Sequence, residues 1–276
     1  MDPATIERTA YHGRQVEATS EVTRATELLQ QAYRQINQHL DFARRVNAGI
    51  PPRRLPEIPH IRFAVHHSPR EQIGGDFYDV FRLDERNVGF YLSDALGHGV
   101  PACLLTNFVR NAIATKDIDG QHYRLIPPGE VLGRLNRALL QLGLAESPFL
   151  TMAYAQFNHV DRSLSFVRAG FPFPLLVPRR SEPRLLTVEG SLLGVFDTEF
   201  PTAAQSLRMG DKVVFYSDGV NAAKFEQEAE GVASLLACAS HHQALPIKEL
   251  LERLAQDLFQ QVGRADDVTF LGLELI

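Results

Sequence analysis

The stretch Thr151-Met152-Ala153-Tyr154-Ala155-Gln156-Phe157-Asn158 alternates as an extended chain does: Met152, Tyr154 and Gln156 fall on one side, and Ala153, Ala155 and Phe157 on the other. Five further short segments share this texture: Ile61–His67, Phe77–Leu83, Val88–Ser93, Ser163–Arg168 and Phe173–Pro178. A last one, Val268–Leu275, closes the chain. Helical periodicity intervenes at residues 100–115, 128–144, 229–240 and 246–262. The strands come in hairpin-like clusters with helices between clusters, without strict alternation of strand and helix. That pattern predicts an α+β fold of two packed, largely antiparallel sheets flanked by helices, and it argues against a doubly wound parallel sheet.

Upstream of Ile61 the composition changes. Residues 15–48 are rich in Glu, Gln, Arg and Ala and contain neither glycine nor proline. Val22, Thr26, Leu29, Tyr33, Ile36, Leu40 and Ala43 recur at alternating steps of four and three, a heptad seam with polar residues elsewhere. The seam predicts a parallel homodimer through a coiled coil; an amphipathic helix lying on its own domain is the alternative. Pro51, Pro52 and Pro56 stop the helix, because proline lacks the amide donor and clashes with the preceding turn. The expected organisation is therefore residues 1–50 as an N-terminal helical linker and 51–276 as one large domain.

The bulk numbers exclude several classes. Of 276 residues, 45% are hydrophobic and 22% charged, as in ordinary globular proteins. Two cysteines, Cys103 and Cys238, stand in unrelated contexts, which argues against a disulfide scaffold and fits a reducing cytoplasm. A net charge of −5 gives no electrostatic reason to expect nucleic acid. No run approaches the roughly 18 apolar residues of a membrane span, and no signal-peptide pattern opens the chain. The expected location is the cytoplasm, either alone or as the cytosolic part of something longer.

Four acidic clusters lie where apolar strands meet glycine or small residues: Gly74-Gly75-Asp76-Phe77-Tyr78-Asp79, Ser93-Asp94-Ala95-Leu96-Gly97-His98-Gly99, Tyr216-Ser217-Asp218-Gly219, and Gly263-Arg264-Ala265-Asp266-Asp267. A carboxylate at the mouth of a buried strand loses hydration unless something positive compensates it. Four such sites converging would repel one another. Divalent cations with oxygen ligands, Mg²⁺ or Mn²⁺, are the natural remedy. Each cluster alone has a plainer reading, since Asp-Gly is a common turn. His98, between glycines, reads equally as a solvent residue at a helix start or as a catalytic group. The pairs His66-His67 and His241-His242 read as exposed. No local signature supports a nucleophilic serine or cysteine.

Six blocks, in order, carry a resemblance: GGDFYDVF (74–81), SDALGHGVPA (93–102), FLTMAYAQF (149–157), RAGFPFPLLV (168–177), GDKVVFYSDGV (210–220) and ADDVT (265–269). Together they resemble the PPM (PP2C-like) serine/threonine phosphatases, and within them the SpoIIE/RsbU branch. The resemblance runs from about Asp41 to the C-terminus. It implies a PP2C-like αββα sandwich binding two divalent cations, Mn²⁺ or Mg²⁺. Asp94 would bridge the two, with the carbonyl of Ala95 on the second ion. Asp218 and Asp266 would complete the first metal site, and Asp76 would serve the second, directly or through water. Asp267 would be a supporting neighbour of Asp266, and Asp79 would be structural or would support the ligands from behind.

By the same resemblance the substrate would be a phosphorylated anti-sigma-factor antagonist, a STAS-domain protein, in a partner-switching stress response. An upstream sensor domain or protein is a further expected partner. Two departures bear on substrate handling: Ala95-Leu96 stands where the family usually has a valine-serine pair, and Phe171 where a histidine is common. Neither removes a metal-binding side chain. A non-catalytic PP2C-like binding module is the alternative reading, and a hydrolase of small phosphorylated metabolites is a third.

Overall fold

Every residue of Val268–Leu275 is buried, so this strand needs cover on both faces. In the computed structural model it lies inside a five-stranded sheet of spatial order β1 (Ile61–Ser68), β12 (Val268–Leu275), β11 (Lys212–Tyr216), β8 (Leu175–Val177) and β9 (Arg184–Leu185). A second five-stranded sheet runs β10 (Ala203–Ser206), β7 (Ser163–Ala169), β6 (Leu150–Asn158), β3 (Asn87–Ala95) and β2 (Asp76–Arg82). All pairings within both sheets are antiparallel. The structure describes residues 24, 26–39, 41, 54–69, 74–95, 97, 100–143, 149–222, 228–259 and 267–276.

Strand alternation sorts the side chains into three apolar layers. Phe90, Leu92, Ala153, Ala155, Phe157, Phe215, Leu271 and Leu273 fill the space between the sheets. Phe90 and Phe215 meet edge to face across it, with ring centroids 5.2 Å apart. Truncating either to alanine is expected to cost about 3–5 kcal/mol. Met152, Tyr154 and Val167 face the other way, onto α2 (Val100–Ala112) and α3 (Pro128–Gln141). In α3 the buried Val131, Leu132, Leu135 and Leu139 form the stripe that docks on the sheet. Phe270 and Val214 turn outward from the first sheet toward α5 (Glu228–His241) and α6 (Ile247–Phe259). Glu274, at the end of β12, accepts the backbone N–H of Ile247 at 3.0 Å and so fixes the start of α6. The layers are helix, sheet, sheet, helix, as the sequence predicts.

Some details differ from the expectation. The helix expected over 100–115 ends at Ala112, and a hairpin of β4 (Lys116–Asp119) and β5 (His122–Leu125) follows. Its four-residue arms are half-buried at best, with Ile118 and Tyr123 exposed, so no apolar alternation marks them in the sequence. The remaining short helix, α4, is Gly219–Ala222.

The chain divides into two compact units, Met1–Val46 and Asn47–Ile276. In the first, residues 26–39 form a helix, α1, and the seam residues Leu29, Tyr33 and Ile36 are exposed. Val22, Leu40 and Ala43 of the seam lie outside the described residues. Among those residues no helix is long and apolar enough to cross a membrane.

Candidate metal centre

The sheet registers bring the acidic clusters together. Asp76, at the start of β2, pairs directly with Asp94, near the end of β3. Both follow the alternation that places Val80 and Leu92 between the sheets, so both carboxylates sit on the inner face at one end of the sandwich. Directly opposed side chains on one face of an antiparallel pair have Cβ atoms about 4.5–5.5 Å apart, and like charges there repel. The first sheet contributes to the same end. Ser217 and Asp218 follow β11, and Asp267 and Thr269 lie at the start of β12. The backbone N–H of Ser217 donates to Thr269 at 3.0 Å.

Gly75 leaves room for this convergence. A methyl group on its Cα would sit 2.5 Å from Asp94 Oδ1, 2.6 Å from the carbonyl oxygen of Ala95 and 3.0 Å from that of Gly97. Three oxygens therefore crowd one point where any side chain would intrude. The adjacent loop is held by Asp267, whose Oδ2 accepts the N–H of Gly75 at 2.7 Å and that of Asp76 at 3.4 Å.

Asp76 is the buried member, 5% exposed. Its Oδ2 accepts the hydroxyl of Thr269 at 2.6 Å, and His67 Nδ1 lies 2.8 Å from the same hydroxyl. With Asp76 ionised, the single hydroxyl proton goes to the carboxylate, and Nδ1 then carries the proton donated to Thr269 Oγ1. Burial pushes the pKa of Asp76 up to about 7; hydrogen bonds from Thr269 and Ser217 oppose the rise, and the charges of Asp267 and Asp218 add to it. Burial holds His67 below the ordinary histidine value, an effect Asp267 partly offsets.

Of the residues singled out in the sequence, Asp76, Asp94, the carbonyl of Ala95 and Asp218 share this end of the fold. Asp266 and His98 lie outside the described residues. Asp79 does not join them: it alternates onto the opposite face of β2 with Phe77 and Phe81, and the charge of Arg110 acts on it there. Phe171, the departure at a common histidine position, is buried in the layer between the sheets.

The histidine pairs are not simply exposed. His67 reaches Thr269, and His242 Nε2 lies 2.7 Å from Asp257 Oδ2 with its side chain 15% exposed. Cys238 Sγ donates to the same oxygen at 3.6 Å, and burial pushes its thiol up to about 12. The sequence reading missed His67, Ser217 and Thr269 as parts of the site. His67 and Thr269 face each other across β1 and β12, and each lies two residues from an inner apolar position, Val65 and Leu271. The period-two pattern could have flagged them as inward-facing polar residues.

The donor set is carboxylates and a carbonyl crowded round a glycine, with burial pushing the pKa of one carboxylate, Asp76, upward. It suits a hard divalent cation.

The arrangement of two antiparallel sheets between helix pairs, with aspartates at one end, is that of the PP2C-type phosphatases. The SiaA-PP2C domain of Pseudomonas aeruginosa superposes with a TM-score of 0.70 at 22% identity, over 89% of this chain and 99% of that one. The catalytic domain of the serine/threonine phosphatase PstP, in complex with two manganese ions, superposes at 0.56 with 16% identity, over 78% and 98%. In sequence, the chain is 25% identical to the phosphoserine phosphatase RsbU of Bacillus subtilis over 243 residues, 87% of this chain and 70% of that protein. The model of the stage II sporulation protein E (SpoIIE) family matches residues 84–276. The chain belongs to the SpoIIE family, the SpoIIE/RsbU branch of the PPM serine/threonine phosphatases.

Proposed function

We propose that this chain hydrolyses phosphoserine or phosphothreonine on a phosphorylated STAS-domain anti-sigma-factor antagonist in the cytoplasm, using two divalent cations, Mn²⁺ or Mg²⁺. The ligands would be Asp76, Asp94, the carbonyl of Ala95, Asp218 and Asp266. The observation that carries this reading is the direct pairing of Asp76 with Asp94 beside the Gly75 cradle, a concentration of negative oxygen that divalent cations relieve. Cations bound there would lower the pKa of a coordinated water and draw charge from phosphoryl oxygens. The protein's own part is positioning. Thr269 fixes one oxygen of Asp76, His67 orients the Thr269 hydroxyl, and Asp267 ties the Gly74–Gly75 loop to the start of β12.

The RsbU likeness supports the substrate class. The exposed Leu29, Tyr33 and Ile36 of α1 support dimerisation through the N-terminal helix, because an apolar seam left in water favours association. The test is release of phosphate from phosphorylated STAS-domain proteins and from a phosphoserine peptide by the full chain, with Mn²⁺ and with EDTA. Manganese-dependent release, silenced by chelation, is expected. No turnover on either substrate would make the chain a binding module.

A further inference from the structure

The opposite end of the sandwich carries the opposite charge. A cavity of about 730 Å³ opens where edge strands β9 and β10 of the two sheets approach each other. Arg162, Arg179, Arg180, Arg184 and Arg208 line it, coming from the β6–β7 turn, the segment after β8, β9 itself and the β10–β11 turn. Among the described residues none of the five forms an ion pair. Arg184 Nη2 donates to the neutral Gln205 at 3.1 Å, across the gap between the sheets. Five unpaired guanidiniums round one hollow, in a chain of net charge −5, are not the mixed surface that solvation alone favours.

The one acidic residue lining the cavity does not neutralise them. Asp211, 8% exposed, accepts the backbone N–H of Arg179 and that of Arg208, each at 2.9 Å. Its carboxylate holds together the two turns that present these arginines. Gly210 adopts a φ of +88°, and a Cβ there would meet Arg179 Cδ at 2.5 Å, so the glycine lets the arginine stem lie across the turn. Arg162 holds a left-handed φ of 55°, unusual for a long side chain, and its carbonyl accepts the N–H of Leu207 at 2.9 Å. A disfavoured backbone kept in place by its surroundings is a mark of a positioned residue.

We infer that this cavity binds a small anion carrying two or more phosphate groups. Its volume is that of a small-molecule site, within the roughly 300–1,000 Å³ such sites occupy. Guanidinium groups match phosphate oxygens two at a time, with better geometry than a lysine point charge. The site lies about 16 Å along β11 from the aspartates, so its ligand is separate from anything held between Asp76 and Asp94.

The test is calorimetric titration of the full chain, in EDTA to silence metal sites, with ATP, with inorganic tripolyphosphate and with a polyglutamate peptide. One-to-one binding of ATP or tripolyphosphate is expected, weakened roughly tenfold or more by Arg179→Ala and again by Arg208→Ala. Both arginines are exposed, so thermal melts of the variants should match the wild type; Arg184→Glu gives an independent variant. Asp94→Asn should leave the affinity unchanged, which places the ligand at this end. Binding of ATP alone would point to a nucleotide, and equal binding of tripolyphosphate to a plain phosphate chain; both support the inference. Absence of binding by both, indifference to the arginine variants, loss in Asp94→Asn, or equally tight binding of polyglutamate would overturn it.

Discussion

Strand β11 has an aspartate just beyond each end, and the two are used in opposite ways. Asp211, before the strand, spends both carboxylate oxygens on backbone amides and sits among arginines that form no ion pair with the described residues. Asp218, after it, joins a group of carboxylates in which Asp76 is buried and pushed toward neutrality. One end of the fold gathers guanidinium groups, and the other concentrates carboxylate oxygen whose charge a proton on Asp76 or a bound cation would relieve. The lesson is that a residue type says little until its hydrogen bonds are counted. A carboxylate satisfied by two amides is architecture, whereas one pressed against other carboxylates with a hydroxyl as partner is a ligand in waiting.

The comparison is broken most sharply at Asp94. Asp94→Asn removes a charge from the acidic end, and the expected loss of Mn²⁺-dependent phosphatase activity exceeds the roughly 10- to 100-fold that supporting residues cost. The fold should remain cooperative in thermal melts. Wild-type turnover in the purified variant would remove Asp94 from the chemistry.

Proton linkage gives the next largest effect. Asp76 has a folded-state pKa of about 7 against an ordinary 3.8. A raised carboxylate contributes stability that is complete below about pH 4 and is lost as pH rises through 7. In metal-free protein that loss is on the order of 4 kcal/mol. Asp76→Asn should therefore melt higher than the wild type at pH 8 in EDTA, with the difference vanishing near pH 4. Added Mn²⁺ should raise the wild-type melting temperature more at pH 8 than at pH 5, because the cation favours the ionised form. A flat wild-type profile in EDTA would show that Asp76 is not strained.

Smaller effects separate support from ligation. Thr269→Val takes the hydroxyl from Asp76 and is expected to weaken Mn²⁺ affinity about 10- to 100-fold, with partial rescue by Thr269→Ser. Asp267→Ala leaves the buried N–H of Gly75 without its acceptor and should cost about 1–3 kcal/mol in denaturant unfolding. Asp266→Ala should leave that stability nearly unchanged while costing much more activity. The reverse activity order would move the ligand to Asp267.

The layered fold was legible because Thr151–Asn158 and its neighbours alternate cleanly, and because breaks fall between strand clusters. The hairpin of β4 and β5 was not, since its arms bury too little to leave an apolar period. Asp76, Asp94 and Asp218 could be named because each ends or begins an apolar strand beside a small residue. Thr269 and His67 were silent: a threonine and a histidine near a strand end acquire a role only when register sets them opposite each other and beside Asp76. The arginine cavity was invisible for the same reason, its members being spread from Arg162 to Arg208.

The most direct test of the central claim is a calorimetric Mn²⁺ titration of the full chain and of Asp94→Asn, with phosphoserine-peptide hydrolysis measured on the same samples. Two bound equivalents in the wild type are predicted, with hydrolysis rising as they fill, and loss of both binding and hydrolysis in the variant. Hydrolysis without bound Mn²⁺ or Mg²⁺, or unchanged binding and turnover in Asp94→Asn, would contradict it.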